Sequence, residues 1–191
     1  MEDKIEKELK KIRDEIINCK KCSFCKIRTY PVIGQGNHQA KIMFIGEAPG
    51  VQEDKTGRPF CGAAGKILDE LLESVGIKRE EIYICNILKC RPPNNRDPKP
   101  EEIRACTPYL ERQIKAINPE VISTLGNFAT SYILEKFGLG DKIQGISKIH
   151  GQIFNTNGLK IIPFYHPVVV AYNNSMKETL KKNFKILEKL K

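Results

Sequence analysis

Seven cysteines in 191 residues are the side chains best placed to do chemistry, and their number is odd, so they cannot all pair as disulfides. Cys19 and Cys22 form a C-x2-C pair, which Cys25 extends to C-x2-C-x2-C, while Cys90 and Cys106 bracket a proline-rich loop. Two thiolates three residues apart can point at one centre, and a metal shared with Cys90 and Cys106 would stabilise closure of the loop between them. A zinc ribbon usually supplies two short knuckles of similar spacing, and here there is one. An iron-sulfur cluster needs four thiolates under looser spacing rules. The spacing therefore favours a cluster over zinc and leaves Cys25 open as an alternative ligand. Lys20 and Lys21 put the first pair on a surface loop. Cys85 lies inside an apolar run and reads as a buried small hydrophobe, and Cys61 falls in a glycine-rich loop where packing alone would account for it.

These groups need elements to hold them. Ile5, Leu9, Ile12 and Ile16 recur at helical spacing across residues 2–18. Short apolar runs at 41–45, 82–88, 121–125 and 159–165 read as strands, with Pro163 confining the last to an edge or a strand end. Between them, Ile67 to Val75 predicts a helix stopped by Gly76, Pro100 opens a helix carrying Cys106, and 128–137 predicts another. Residues 139–158 read as a loop or hairpin, and Ser175 with Glu178 predicts a capping box for a last helix. Strands alternating with helices imply an α/β fold with a mostly parallel sheet covered on both faces. Ligands in such sheets bind beyond the carboxyl ends of the strands. Glu47 to Gly50, Asn86, Gly126 with Asn127, and His166 each stand at such an end.

Composition narrows the class. The chain is 40% apolar and 29% charged, with 14 glycines and 11 prolines, which excludes collagen-like and low-complexity chains. The length suits a single domain over 1–191, with no repeat or linker in sight. A net charge of +9 suits a polyanionic partner. No apolar run approaches the ~20 residues that a membrane span requires. The charged amphipathic N-terminus lacks the apolar stretch of a signal peptide, so a cytoplasmic protein that does not enter membranes is expected.

The strings GEAPG (46–50), GRPFCGAAG (57–65), ICNILKCRPPNNRDP (84–98) and YHP (165–167) occur in that order, with Cys19, Cys22, Cys90 and Cys106. Together they resemble the family-four uracil-DNA glycosylases, the iron-sulfur type, over roughly residues 16–172. The resemblance implies a three-layer fold with a four-stranded, mostly parallel central sheet flanked by helices. It implies a monomeric, monofunctional hydrolase that flips uracil out of single- or double-stranded DNA and cleaves its N-glycosidic bond, leaving an abasic site. It also implies a structural [4Fe-4S] cluster on Cys19, Cys22, Cys90 and Cys106, in segments 19–25 and 90–106.

Residue by residue, the resemblance makes Phe60 the side chain that stacks on the base and Asn86 the amide that pairs with its edge. His166 becomes the donor to O2 of the leaving uracil. Gly46, Glu47 and Ala48 would contact uracil through backbone groups. Glu47 and His166 are the catalytic candidates, with Glu47 orienting the pocket or a water. Glu47 stands where the best-known uracil-DNA glycosylases carry Gln, and Ala48 where they carry the catalytic Asp, so the obvious water-activating base is missing. Glu53 would crowd the C5 side of the base and exclude thymine. PVVVAYN (167–173) resembles the loop that enters the DNA, against a plain reading of Val168 to Val170 as core. Lys89, Arg91, Arg96, Lys148 and His150 are candidate phosphate contacts. Two rival readings are a related iron-sulfur glycosylase of broader base range and a non-enzymatic cysteine-metal module that binds nucleic acid.

Overall fold

The computed structural model describes residues 2–190, so the expected unit over 1–191 extends by Met1 and Lys191 beyond the described residues. Its strands are β1 (Gln35–Gly36), β2 (Ile42–Gly46), β3 (Tyr83–Asn86), β4 (Val121–Leu125), β5 (Phe154–Thr156) and β6 (Leu159–Phe164). They form one six-stranded sheet in the order β1-β3-β2-β4-β6-β5. β3, β2, β4 and β6 run parallel to their neighbours in that group, while β1 and β5 pair antiparallel at the two edges. The expected four-stranded sheet is thereby corrected to a six-stranded mixed one. The added strands span two and three residues and expose much of their length, so they carry no apolar run for a period to act on. β5 and β6 form a hairpin whose turn, Asn157 and Gly158, takes φ values of 47° and 83°, as a two-residue turn of matching twist requires.

The helices are α1 (Glu2–Ile17), α2 (Val51–Thr56), α3 (Ala63–Glu73), α4 (Pro100–Ile117), α5 (Asn127–Lys136), α6 (Ile146–Ile149), α7 (Val169–Tyr172) and α8 (Met176–Phe184). Alternate strand residues face opposite sides of a sheet. Met43 and Ile45 therefore join Leu9, Ile12, Leu110 and Ile133 from α1, α4 and α5 on one face. Ile42 and Phe44 join Leu68, Leu71, Leu180 and Phe184 from α3 and α8 on the other. Each such side chain contributes roughly 1.5–3 kcal/mol by leaving water. With both faces covered, β2, β3 and β4 are buried throughout, which is why they read as unbroken apolar runs.

Two local expectations meet different outcomes. β5 pairs with β6 only as far as Ile161, so Pro163, which has no N–H to give, lies past that ladder, where its carbonyl accepts from Gly151 N–H at 2.8 Å. The predicted capping box of α8 does not form. Ser175 already has helical φ and ψ of −63° and −23°, and its Oγ donates to Asn173 Oδ1 at 2.7 Å instead.

Because four adjacent strands are parallel, their carboxyl ends share one edge of the sheet. Gly46 lies opposite Asn86, and Leu125 opposite Phe164. The polar groups that follow those ends converge there.

Candidate active site and cysteine cavity

A cavity of about 790 Å³ opens at this edge, and Glu47, Ala48, Glu53, Phe60, Asn86 and His166 line it. Gly46 lies close against two of these side chains, since a Cβ there would overlap Asn86 Oδ1 and come within 2.7 Å of Phe60 Cζ. Six of the seven residues expected to contact the base therefore line one cavity, with Gly46 packed behind Asn86 and Phe60.

Asn86 ends β3 and is 2% exposed, yet its Oδ1 has no hydrogen-bond partner. A buried carbonyl oxygen left unpaired costs roughly 1–3 kcal/mol, so such atoms mark places where a ligand donor belongs. The Phe60 ring stands beside the His166 ring, with centroids 5.7 Å apart and planes 29° from parallel. Phe60 holds φ at 47°, a left-handed conformation that is an outlier for a bulky side chain. The start of α3 leaves its backbone that room only because Gly65 has no Cβ, which would overlap the Phe60 carbonyl.

His166 follows β6 and receives the Val168 N–H on Nδ1 at 3.2 Å. A nitrogen that accepts this bond carries no proton, so Nε2 holds it and serves as the donor. Burial pushes the imidazole down to about 4, against the opposing pull of Glu53, so the ring is neutral near pH 7. Burial likewise raises the Glu47 carboxyl above its ordinary value, and Asp97, another residue of the cavity wall, adds to the rise. Glu53 faces the cavity but its carboxylate is also a clasp. Oε2 accepts from Gly50 N–H at 3.1 Å, and Oε1 from the N–H groups of Cys61 and Gly62 at 3.0 Å each.

The proline-rich loop folds over the cavity and contributes Asn95, Arg96 and Asp97 to its wall. Arg96 pairs with the buried Glu102 at 2.6 Å and lies over the Phe24 ring at 5.5 Å, so it anchors this loop. Asn127 and Tyr165, just past the ends of β4 and β6, also line the wall; their place next to strand ends is a sequence signal for both, and Tyr165 also opens the YHP string. Lys148 is exposed, and Arg91 donates to Asn95. His150 packs on Tyr165 and bonds Asn183 at 2.7 Å. Lys89 is corrected outright: at 1% exposure it cannot meet a phosphate.

A second cavity is lined by Cys19, Cys22, Cys25, Cys90 and Cys106, drawn from the segment after α1, the end of β3's extension and α4. Cys61 and Cys85 lie elsewhere, Cys85 fully inside β3. Among the described residues, no group of three or more His, Cys, Asp and Glu side chains is arranged to hold a metal ion. Hydrogen-bond donors already point at the sulfurs: Arg28 Nη1 at Cys90 Sγ and Lys89 N–H at Cys106 Sγ, both at 3.2 Å. Burial raises the thiols of Cys22 and Cys90 and brings Cys106 up to about 11, while Arg28 and Lys89 pull Cys90 and Cys106 back toward thiolate. The two cavities share a wall, because Ala48 packs against Phe24, Leu88 and Cys90.

The fold and the strand-end cavity define a known class: residues 33–191 match the uracil DNA glycosylase superfamily. The chain is 45% identical over 187 residues to a type-4 uracil-DNA glycosylase of Sulfurisphaera tokodaii, covering 95% of this chain and 84% of that one. It is 47% identical over 180 residues to the type-4 enzyme of Archaeoglobus fulgidus, covering 92% and 89%. With that of Thermotoga maritima it shares 49% over 160 residues, covering 82% and 81%. The chain belongs to the type-4 uracil-DNA glycosylase family.

Proposed function

We propose that this chain is a DNA repair glycosylase that flips uracil out of DNA and hydrolyses its N-glycosidic bond, leaving an abasic site. The observation that carries the reading is the buried, unpartnered Asn86 Oδ1 at the floor of a cavity walled by Phe60 and His166. Uracil presents N3–H to such an acceptor and O4 to the amide NH2. Cytosine presents the reverse order and would leave both groups buried and unpaired, which is how a hydrogen-bonding site rejects a near-isostere. Phe60 stacks on the base. His166, neutral and protonated on Nε2, donates toward O2, where negative charge develops as the glycosidic bond breaks. A neutral donor suits a leaving group that becomes an anion without first being protonated. Gly46 to Ala48 line the base edge, and Glu47 orients the water or the pocket. Glu53 excludes thymine while clasping the loop that holds Phe60.

A structural [4Fe-4S] cluster on Cys19, Cys22, Cys90 and Cys106 belongs to the same reading. A cluster would draw on four thiolates, and the reading is supported by these four cysteines lining one cavity. When bound it supplies a cross-link between α1's end, the proline-rich loop and α4. The chain works as a single domain and a monomer in the cytoplasm, on single- or double-stranded DNA. Among the described residues, no helix is long and apolar enough to cross a membrane.

The test is release of free uracil from oligonucleotides carrying uracil opposite guanine, opposite adenine, or in a single strand. No release by pure, iron-replete protein overturns the reading. Excision of hypoxanthine or thymine at comparable rates would assign it the broader base range instead.

A further inference from the structure

Lys89 is the one fully buried lysine among the described residues, and it makes no ion pair with a carboxylate. Its Nζ donates to two neutral oxygens, the backbone carbonyl of Asn86 and Oε1 of Gln113, each at 2.7 Å. Gln113 is itself fully buried and cannot turn away, because its Nε2 donates to the Ile33 carbonyl at 2.8 Å and to Tyr83 Oη at 3.1 Å. From the other end of the same residue, the Lys89 N–H donates to Cys106 Sγ, and the side chain lines the cysteine cavity. A buried cation without a counter-charge is expensive, and neutral acceptors repay only part of it.

We infer that Lys89 is a positioning residue that couples the cysteine centre to base recognition, fixing the Asn86 backbone through Nζ while its own N–H holds Cys106. The inference rests on the proposed roles of Asn86 and the four cysteines, and adds a link between them. Holding Cys106 in that centre would fix the Lys89 N–H that bonds it, and Nζ, braced by Gln113, would then hold the Asn86 carbonyl and the orientation of its amide toward the base. Allosteric coupling of this kind is reciprocal: what binds at Asn86 must also favour the filled centre.

The experiment uses the iron-replete full-length protein and its Lys89→Met variant, which keeps the chain length and loses both Nζ bonds. Two quantities are read: the rate of iron loss to an added chelator, and the inhibition constant of free uracil. Both are expected to rise about tenfold, the scale of one charge-assisted hydrogen bond. A role confined to general stability would lower the active fraction and leave the uracil constant of the surviving enzyme unchanged. If either quantity stays at the parent value, the coupling is overturned. A Lys89→Met chain that does not fold leaves the parent protein to decide: saturating uracil slows iron loss if the link exists, and has no effect if it does not. Failure of the underlying reading looks different, because the parent would then bind no uracil or hold no iron.

Discussion

Val168 donates its backbone N–H to Nδ1 of His166 at 3.2 Å, and this bond decides which ring nitrogen keeps the proton. The donor available to a bound base is therefore Nε2–H of a neutral ring. Burial sets the same state thermodynamically by pushing His166 down to about 4.

His166 titrates accordingly. A buried histidine whose folded value lies below its unfolded one leaves the unfolded chain binding more protons between about pH 6.5 and pH 4. The fold therefore loses stability as pH falls through that window and owes nothing to this group above it. In urea unfolding, the parent and His166→Asn are expected to diverge in pH dependence only below about pH 6.5, with the parent falling more steeply. A ring resonance of His166 titrating near 6.5 would falsify the neutral-donor assignment.

Glu47 has the opposite character. Burial and then Asp97 raise its carboxyl, so the deprotonated form that could orient a water appears at higher pH than for an ordinary glutamate. The acid limb of the single-turnover rate is expected to follow Glu47 and to move to lower pH in Asp97→Asn. Glu47→Gln should abolish that limb and slow cleavage by roughly 10²-fold, within the range of a positioned acid-base group. Full single-turnover activity in Glu47→Gln removes Glu47 from the chemistry and leaves it a wall residue.

Much of this site is legible in the sequence because parallel strands align their carboxyl ends whatever the loops between them do. Glu47 and His166 follow apolar runs and Asn86 lies near the end of another, so the topology alone brings them to one edge. Lys89 is illegible for a physical reason. Between Leu88 and Arg91 in a basic chain it reads as surface, and what buries it is a bond to Gln113, 24 residues away on α4. Glu53 is half legible. Its place beside the pocket follows from the motif, but its grip on Gly50, Cys61 and Gly62 depends on how the intervening glycine loop returns. β1 and β5 carry too few residues for a period of two to register.

That grip makes Glu53 a joint test of stability and specificity. Three backbone N–H groups converge on its two oxygens, and an amide in place of the carboxylate would turn an NH2 toward at least one of them. Glu53→Gln is expected to lose about 1–3 kcal/mol in denaturant unfolding. Glu53→Gly should lose at least as much and also begin to excise thymine. A folded Glu53→Gly that still ignores thymine assigns discrimination at C5 to another wall residue and leaves Glu53 the clasp alone.

Cys25 is the sharpest test of the cysteine reading, since it lines the same cavity as the four proposed ligands. Two of the four are set apart from it by what points at the sulfur. Arg28 donates to Cys90 and the Lys89 N–H donates to Cys106, as expected of donors that stabilise ligating thiolates, and neither reaches Cys25. Cys25→Ser should therefore keep full iron and acid-labile sulfide, whereas Cys106→Ser should lose most of both. The two variants are compared at equal protein concentration by iron and sulfide assay. The opposite ranking would place Cys25 in the ligand set and free Cys106. In that case the hydrogen bond from Lys89 would be an ordinary contact to a buried thiol, and the loop closed by the centre would end before α4.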